Sequence, residues 1–273
     1  MIYKIGIIYN KSKANAKKFA FEVGGWLKQN KCVVSISDSM SMHLRRADFV
    51  LSIGGDGTML KVIRTFAPFT VPIKGINLGS LGFLTDTNAN ETFAILENIL
   101  CKGFKVEKRV LLSAEFEYNG KKIKTLAVND CVIRSLSGGR LITVDVNVDE
   151  DFTAEYKCDG MIIATPTGST AYSLAASGPI VYPNLSVFIL TPISPHTLTQ
   201  RPMVVSNKSH ISFIAKNKYR NRKIVLSVDG QENYTLPNGT KVKFSLYKRP
   251  LKLIKNCSRS YFETLKTKLY WGV

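Results

Sequence analysis

Residues 54 to 58 read Gly-Gly-Asp-Gly-Thr and follow the apolar run Asp48-Phe49-Val50-Leu51-Ser52-Ile53. Three glycines around one carboxylate, at the end of a buried strand, let a phosphate approach backbone N–H groups closely. Glycine has no side chain and reaches φ > 0. Met59 to Phe66 then reads as a helix, and a helix N-terminus favours an anion. A carboxylate inside a phosphate cradle points to phosphoryl transfer, with Asp56 holding Mg²⁺ or accepting a proton from an attacking hydroxyl. Lys61, one helical turn onward, reads either as a phosphate contact or as a solvated helix lysine. The same glycines also suit a plain strand-to-helix turn.

A second segment, Cys158 to Pro179, again sets an acidic residue, Asp159, beside glycine and follows it with hydroxyls and small residues. Asp159 is either a turn former or a ligand contact. Thr170 to Ala175 is expected to open a helix, whose first N–H groups and the hydroxyls of Thr170, Tyr172 and Ser173 suit adenine or ribose. The pair Asn129-Asp130 stands between two apolar stretches, where amide plus carboxylate can read a ribose or a base edge. Arg140, after Ser137-Gly138-Gly139, is a phosphate clamp or a surface arginine. The chain has no Gly-x-x-x-x-Gly-Lys-Ser/Thr loop and no early Gly-x-Gly-x-x-Gly, so phosphate binding falls to Gly54–Gly57. Ser169 is not in a Gly-x-Ser-x-Gly elbow, and only His43, His196 and His210 are available as bases, which argues against a serine hydrolase.

The elements that must position these residues fall into two styles. Over the first hundred residues, strands near 2–9, 32–36, 49–53 and 71–76 alternate with helices at 14–28 and 91–100 and a weak one at 42–46. The 14–28 helix carries Phe19, Val23, Trp26 and Leu27 at helical spacing. Such alternation implies a mostly parallel sheet covered by helices, with ligands beyond the carboxyl ends of its strands. From about Phe104, strand-like segments follow one another, and Asn119-Gly120 and Asn238-Gly239 read as hairpin turns. The expected organisation is an α/β domain over 1–101, a β-rich domain over 102–250, and a C-terminal segment over 251–273.

The chain resembles the NAD kinases. The resemblance rests on Gly54-Gly55-Asp56-Gly57-Thr58, Asn77-Leu78-Gly79-Ser80-Leu81-Gly82-Phe83-Leu84, Asn129-Asp130 and Thr165-Pro166-Thr167-Gly168-Ser169-Thr170-Ala171-Tyr172, in that order. The ending Tyr261 to Leu265 through Trp271-Gly272 is also similar. The first motif alone is shared with lipid kinases and, more weakly, phosphofructokinases; the four together are specific.

The resemblance implies that the C-terminal segment packs back on the first domain. It also implies phosphorylation of the adenosine ribose 2′-hydroxyl of NAD, giving NADP, with Mg²⁺ and with ATP or inorganic polyphosphate as donor. Asp56 is then the proton acceptor or the Mg²⁺-orienting carboxylate, and Gly54, Gly55, Gly57, Thr58 and Lys61 contact the donor phosphates. NAD contacts are implied for Asp56, Gly57, Lys61 and Phe83 in the first domain. In the second they are implied for Asn129, Asp130, Arg140, Lys157 and Asp159, for Thr167 and Thr170 through Ala171, Tyr172, Ser173, Leu174 and Ala175, and for Gln231. Family members assemble as homodimers or homotetramers through the β-rich domain, and a neighbouring subunit can complete the NAD site. Two departures are mild: Lys157 stands where many relatives carry arginine, and an ammonium lacks the bidentate fork. Asp130 stands where many carry the longer glutamate.

The net charge of +18 comes from 38 basic against 20 acidic residues, gathered at 11–18, 216–223 and 241–255. It reads either as attraction of anions or as solvated lysine-rich faces. A basic nucleic-acid-binding module would explain the charge and leave the motifs unexplained, and no recognition helix, zinc finger or RNA motif is present. A lipid kinase shares the first motif and would not be expected to carry Thr165 to Tyr172. No apolar stretch suits a bilayer span, so no membrane partner is expected. Residues 1–10 read as a strand rather than a signal peptide. The five cysteines, Cys32, Cys101, Cys131, Cys158 and Cys257, lack paired spacing and suit reduced thiols in the cytoplasm.

Overall fold

A computed structural model describes residues 2–79, 81–136, 141–149, 151–197, 199–218, 223–256 and 259–272. The chain begins β1 (Lys4–Tyr9), α1 (Ala14–Gln29), β2 (Val33–Ser37), β3 (Phe49–Gly54), α2 (Asp56–Phe66), β4 (Ile73–Asn77), β5 (Thr87–Asn88), α3 (Thr92–Lys102) and β6 (Val106–Arg109). The central strands are buried because helices cover the sheet: all six residues of β3 and all five of β4 are buried. The order is β2-β1-β3-β4, with β1–β2, β1–β3 and β3–β4 parallel. The loops after β1, β3 and β4 therefore leave the same sheet edge, where open α/β sheets bind ligands. Val23 and Leu27 of α1 and Leu96 and Ile99 of α3 are buried, and Phe19 and Trp26 of α1 pack on Phe93 at the start of α3.

Next come β7 (Leu112–Tyr118), β8 (Lys121–Ala127), β9 (Asp130–Ser135), β10 (Ile142–Val148), β11 (Asp151–Cys158) and β12 (Gly160–Ala164). They are followed by α4 (Tyr172–Ala175), β13 (Val187–Ile193), β14 (Met203–Ser206), β15 (Ile211–Lys216), β16 (Ile224–Val228), β17 (Glu232–Leu236) and β18 (Lys241–Leu246). They form two antiparallel sheets, β11-β10-β15-β18-β7-β8 and β14-β13-β12-β9-β16-β17. Leu112, Phe116, Val144 and Phe213 of the first sheet share one core with Ile133, Met161, Leu190 and Leu226 of the second. The two sheets differ in a way the sequence encodes. The first alternates, as in β18 with buried Val242 and Phe244 between lysines. The second is buried on both faces around β12, because Val132, Ile162 and Ile189 pack under Val181. That outer cover is the segment carrying the Thr165–Tyr172 motif.

The chain then returns through β19 (Leu251–Ile254) and α5 (Tyr261–Leu269). β19 pairs in parallel with β4, with β6 beside it. Asn256 N–H donates to Asp86 Oδ2 at 2.9 Å, and Lys74, 1% exposed, pairs with Asp86 Oδ1 at 2.6 Å. Breaking a buried pair of this kind typically costs about 3–5 kcal/mol. The chain thus divides into a unit of residues 1–108 with 249–273 and a unit of 109–248. The first boundary falls later than 101 because β6 belongs to the first sheet.

One turn differs from its sequence reading. Asn119 and Gly120, at φ 50° and 73°, join β7 to β8 as a two-residue hairpin. Asn238-Gly239 instead connects β17 and β18, which lie in different sheets. Its amide is spent on the backbone of Asn217, at 2.7 and 3.0 Å.

Candidate active site

In the first unit the site is built where β3 meets α2. Asp56 is the first residue of α2, and Gly55 caps the helix at φ −142°, ψ −174°. The helix begins three residues ahead of the expected Met59, because the N–H groups of Thr58 and Met59 both donate to Gly55 O at 3.0 Å. This bond and the place of Gly54 in β3 engage two of the five expected phosphate-binding positions in the fold. The expected phosphate cradle is the strand-to-helix turn at Gly54–Gly57. None of its glycines has positive φ; the loop uses glycine for open space rather than for a left-handed backbone.

The Asp56 side chain is half-buried and faces the loop that follows β4. Oδ2 accepts the Phe83 N–H at 2.9 Å. Oδ1 accepts the Thr85 hydroxyl at 2.8 Å and the Thr85 N–H at 3.1 Å, with the Leu84 N–H at 3.4 Å. A Cβ on Gly82 would lie 2.0 Å from Asp56 Oδ1, so only glycine permits the approach. The first two glycine motifs are therefore one structure: the carboxylate of the first holds the backbone of the second. Phe83, placed there, sets its ring 6.4 Å from that of Tyr261 in α5. Lys61 is exposed on α2. Lys13, after β1, brings its Nζ within 3.6 Å of where a Gly55 Cβ would sit. The sequence leaves the 11–18 cluster open between attraction of anions and solvated faces, and this placement favours the former for Lys13.

In the second unit, Asn129, at a bend, and Asp130, the first residue of β9, are gripped from two sides. Asp229, between β16 and β17, accepts the N–H groups of Val128 at 3.0 Å, Asn129 at 2.7 Å and Asp130 at 3.2 Å. Its own N–H donates to Asp130 O at 2.9 Å. Opposite, the Thr165 hydroxyl donates to Val128 O at 2.6 Å, and the Thr165 N–H to Asn129 O at 2.8 Å. A Cβ on Gly168 would fall 2.1 Å from Asn129 O. The Asp130 carboxyl is buried, and burial, with the Asp229 charge added, raises its pKa to about 7.

The Thr165–Tyr172 segment departs from the expected helix. A 3₁₀ turn over Thr167–Thr170 breaks at Ala171, and α4 spans only four residues. The Thr167 hydroxyl is buried without a partner in the protein, so a ligand group is its natural acceptor or donor. Tyr172 is 45% exposed. Thr170 donates to Thr167 O at 3.4 Å, and Ser173 is buried against the Thr191 hydroxyl at 2.9 Å. Ser169 is a structural bolt, donating to Pro166 O and accepting the Val181 N–H at 3.1 Å. Asp159 is partly buried between β11 and β12; Lys157 is exposed, 4.0 Å from Glu155. Gln231 follows the Asp229-Gly230 turn, and Arg140 lies outside the described residues. Among the described residues no three His, Cys, Asp or Glu side chains cluster as a metal site. Among the described residues no helix is long and apolar enough to cross a membrane.

Sequence reasoning singled out neither Asp229 nor the pair Asn77 and Thr85. Asp229-Gly230 repeats the acid–glycine signature of Asp56-Gly57 and Asp159-Gly160, a signal that was available. A parallel α/β sheet with a carboxylate at the head of a glycine-rich helix start, joined to an antiparallel two-sheet unit, suits the class of phosphotransferases that lack the usual P-loop.

Comparison with known proteins narrows the class. Family models described as the ATP-NAD kinase N-terminal domain and the ATP-NAD kinase C-terminal domain match residues 40–104 and 128–256. A NAD kinase of Syntrophotalea carbinolica is 38% identical over 98% of this chain and 99% of its own. One of Geotalea daltonii is 41% identical over 83% of this chain and 80% of its own. Among solved structures, an NAD kinase from Archaeoglobus fulgidus in complex with ATP superposes with TM-score 0.82 at 29% identity, covering 97% of this chain and 98% of that one. Yeast NADH kinase complexed with NADH shares the fold, with TM-score 0.89 at 22% identity, covering 99% of this chain and 88% of that one. The chain belongs to the NAD kinase family.

Proposed function

We propose that this enzyme transfers the terminal phosphoryl group of ATP to the 2′-hydroxyl of the adenosine ribose of NAD, giving NADP and ADP. The observation that carries the reading is Asp56: a partly exposed carboxylate at a helix N-terminus, beside an open glycine loop, with one hydrogen bond on Oδ2. Oδ2 accepts the 2′-hydroxyl proton as that oxygen attacks the terminal phosphorus and the bond to the bridging oxygen of ADP breaks. The Gly55–Gly57 backbone and the start of α2 stabilise charge on the transferring phosphoryl, and Lys61 and Lys13 supply cationic contacts to the donor.

Mg²⁺ fits this residue set, because it commonly binds through one or two carboxylates plus substrate phosphates. As the alternative to taking the proton, Asp56 would hold the ion, which would add positive charge beside the donor phosphates. ATP is the donor favoured by the ATP complex of the Archaeoglobus fulgidus relative; polyphosphate is the alternative substrate. Asn129, Asp130, Asp159, Lys157, Thr167, Tyr172 and Gln231 bind NAD in this reading. The enzyme works in the cytoplasm as a homodimer or homotetramer. Reduced thiols suit that compartment, and among the described residues Cys32, Cys101 and Cys158 form no disulfide.

The test is incubation of the purified chain with NAD, ATP and Mg²⁺, reading NADP with an NADP-specific dehydrogenase. NADP should accumulate with NAD-dependent release of ADP. ATP turnover without NADP would refute the assignment.

A further inference from the structure

We propose that Thr85, backed by Asn77, is a positioning residue that selects which oxygen of Asp56 does the chemistry. The inference rests on the role given to Asp56 above. A carboxylate offers about four lone-pair sites across its two oxygens. Oδ1 is filled by the hydroxyl and N–H of Thr85, with the Leu84 N–H beyond; among the described residues Oδ2 accepts only the Phe83 N–H. Oδ2 is thus the oxygen with capacity left for a substrate proton.

The polarity of the bonds is set by the network. Asn77 Oδ1 accepts the Gly79 N–H at 2.8 Å, which orients the amide so that Nδ2 donates to Thr85 Oγ1 at 2.9 Å. A hydroxyl that receives that donor has its single proton left for Asp56. The chain Gly79 to Asn77 to Thr85 to Asp56 therefore runs one way. Thr85 is 0% exposed and Asn77 5%, so water does not compete. Asn77 ends β4 opposite Gly54 of β3, and the relay ties the ends of two adjacent strands to the carboxylate between them.

Thr85→Val keeps the side-chain shape and removes the hydroxyl. Its turnover number should fall about 10- to 100-fold, the scale of a catalytic group displaced by a fraction of an ångström to one ångström. The Michaelis constants for NAD and ATP should stay within about threefold of wild type. Thr85→Ser should restore turnover. Asn77→Asp offers the Thr85 proton a rival acceptor and should lower turnover in the same sense. In an Asp56→Asn background, Thr85→Val should cost nothing further, since a residue acting through Asp56 has nothing left to position.

Wild-type turnover in Thr85→Val, with Asp56→Asn inactive, overturns the proposal and leaves the role of Asp56 standing. An additive loss on top of Asp56→Asn overturns it as well, by showing a merely structural effect. High turnover in Asp56→Asn overturns both readings. If Thr85→Val fails to fold by thermal denaturation, the other two variants decide. Near-wild-type Thr85→Ser with impaired Asn77→Asp supports the relay; wild-type turnover in both overturns it.

Discussion

The two units solve one problem with carboxylates and divide the labour differently. In the first unit Asp56 both holds a backbone loop, through Phe83 and Thr85, and stands where the chemistry is proposed. In the second, holding and proposed binding are separate: Asp229 takes three backbone N–H groups, and Asp130 beside it is the group proposed to bind NAD. Carboxylate-to-N–H bonds are worth about 1.5–3 kcal/mol each, so either acid matters for stability. The difference teaches that a change at Asp56 cannot separate structure from chemistry by itself, whereas the second unit allows the separation by choice of residue.

The largest effect is expected at Asp56. Asp56→Asn should cut turnover about 10²–10⁴-fold, the usual share of positioned acid–base catalysis. It should also lower thermal stability, because one oxygen facing a backbone N–H becomes an amide donor. NAD affinity, measured by calorimetry, should survive. Near-normal turnover would remove Asp56 from the mechanism and with it the first side of the comparison.

Asp229→Ala comes next. Leaving buried N–H groups without acceptors costs about 1–3 kcal/mol each, so chemical denaturation should show a loss of several kcal/mol and NAD binding should weaken with it. An unchanged midpoint would show that Thr165 and Gly168 hold the bend alone. Asn129→Ala with Asp130→Ala should raise the NAD requirement more than the ATP requirement in steady-state kinetics. A shift confined to ATP would reverse the assignment of the two units.

A smaller effect concerns pH. The Asp130 pKa is raised from 3.8 to about 7 by burial and by Asp229, so the folded chain keeps a proton that the unfolded chain has lost. Its contribution to stability is present below about pH 4 and is lost as pH rises toward 7. Melting curves of wild type should therefore fall relative to Asp130→Asn between those pH values. Parallel curves would mean that the carboxyl is solvated. The smallest changes belong to the lysines: replacing Lys11, Lys17 and Lys18 with glutamine should leave turnover near wild type at moderate salt, where exposed charges are screened beyond about 8 Å. Lys13→Gln should raise the ATP Michaelis constant, and an unaltered constant would place it on a solvated face.

Much of the frame was legible because its causes are local. The spacing of Val23 and Leu27 in α1, the apolar run of β3 and the Asn119-Gly120 hairpin each follow from neighbours in the chain. The edge strands β11, β14 and β17 are hard to read from sequence because one face meets solvent, as in the charged run Asp151–Cys158; the central strand β9 is also absent from the sequence reading, which ends its neighbouring strand segment at Asn129. β19 was hidden for another reason: its burial depends on pairing with β4, far away in sequence. The same holds at the site. Asp56 was readable from its glycines, but its partner Thr85 is 29 residues distant, and Asp229 lies 100 residues from Asn129. Composition marks such residues as polar; only the fold shows that they point at one another.

The central claim is that the terminal phosphoryl of ATP reaches the ribose 2′-hydroxyl under the control of Asp56. The most direct test is ³¹P NMR of wild-type and Asp56→Asn reactions run in parallel with NAD, ATP and Mg²⁺. Wild type should yield a phosphomonoester resonance coupled to the ribose 2′ proton, and Asp56→Asn, still able to bind NAD, should yield little of it. Inorganic phosphate as the sole new product, or equal monoester from both proteins, would contradict the account.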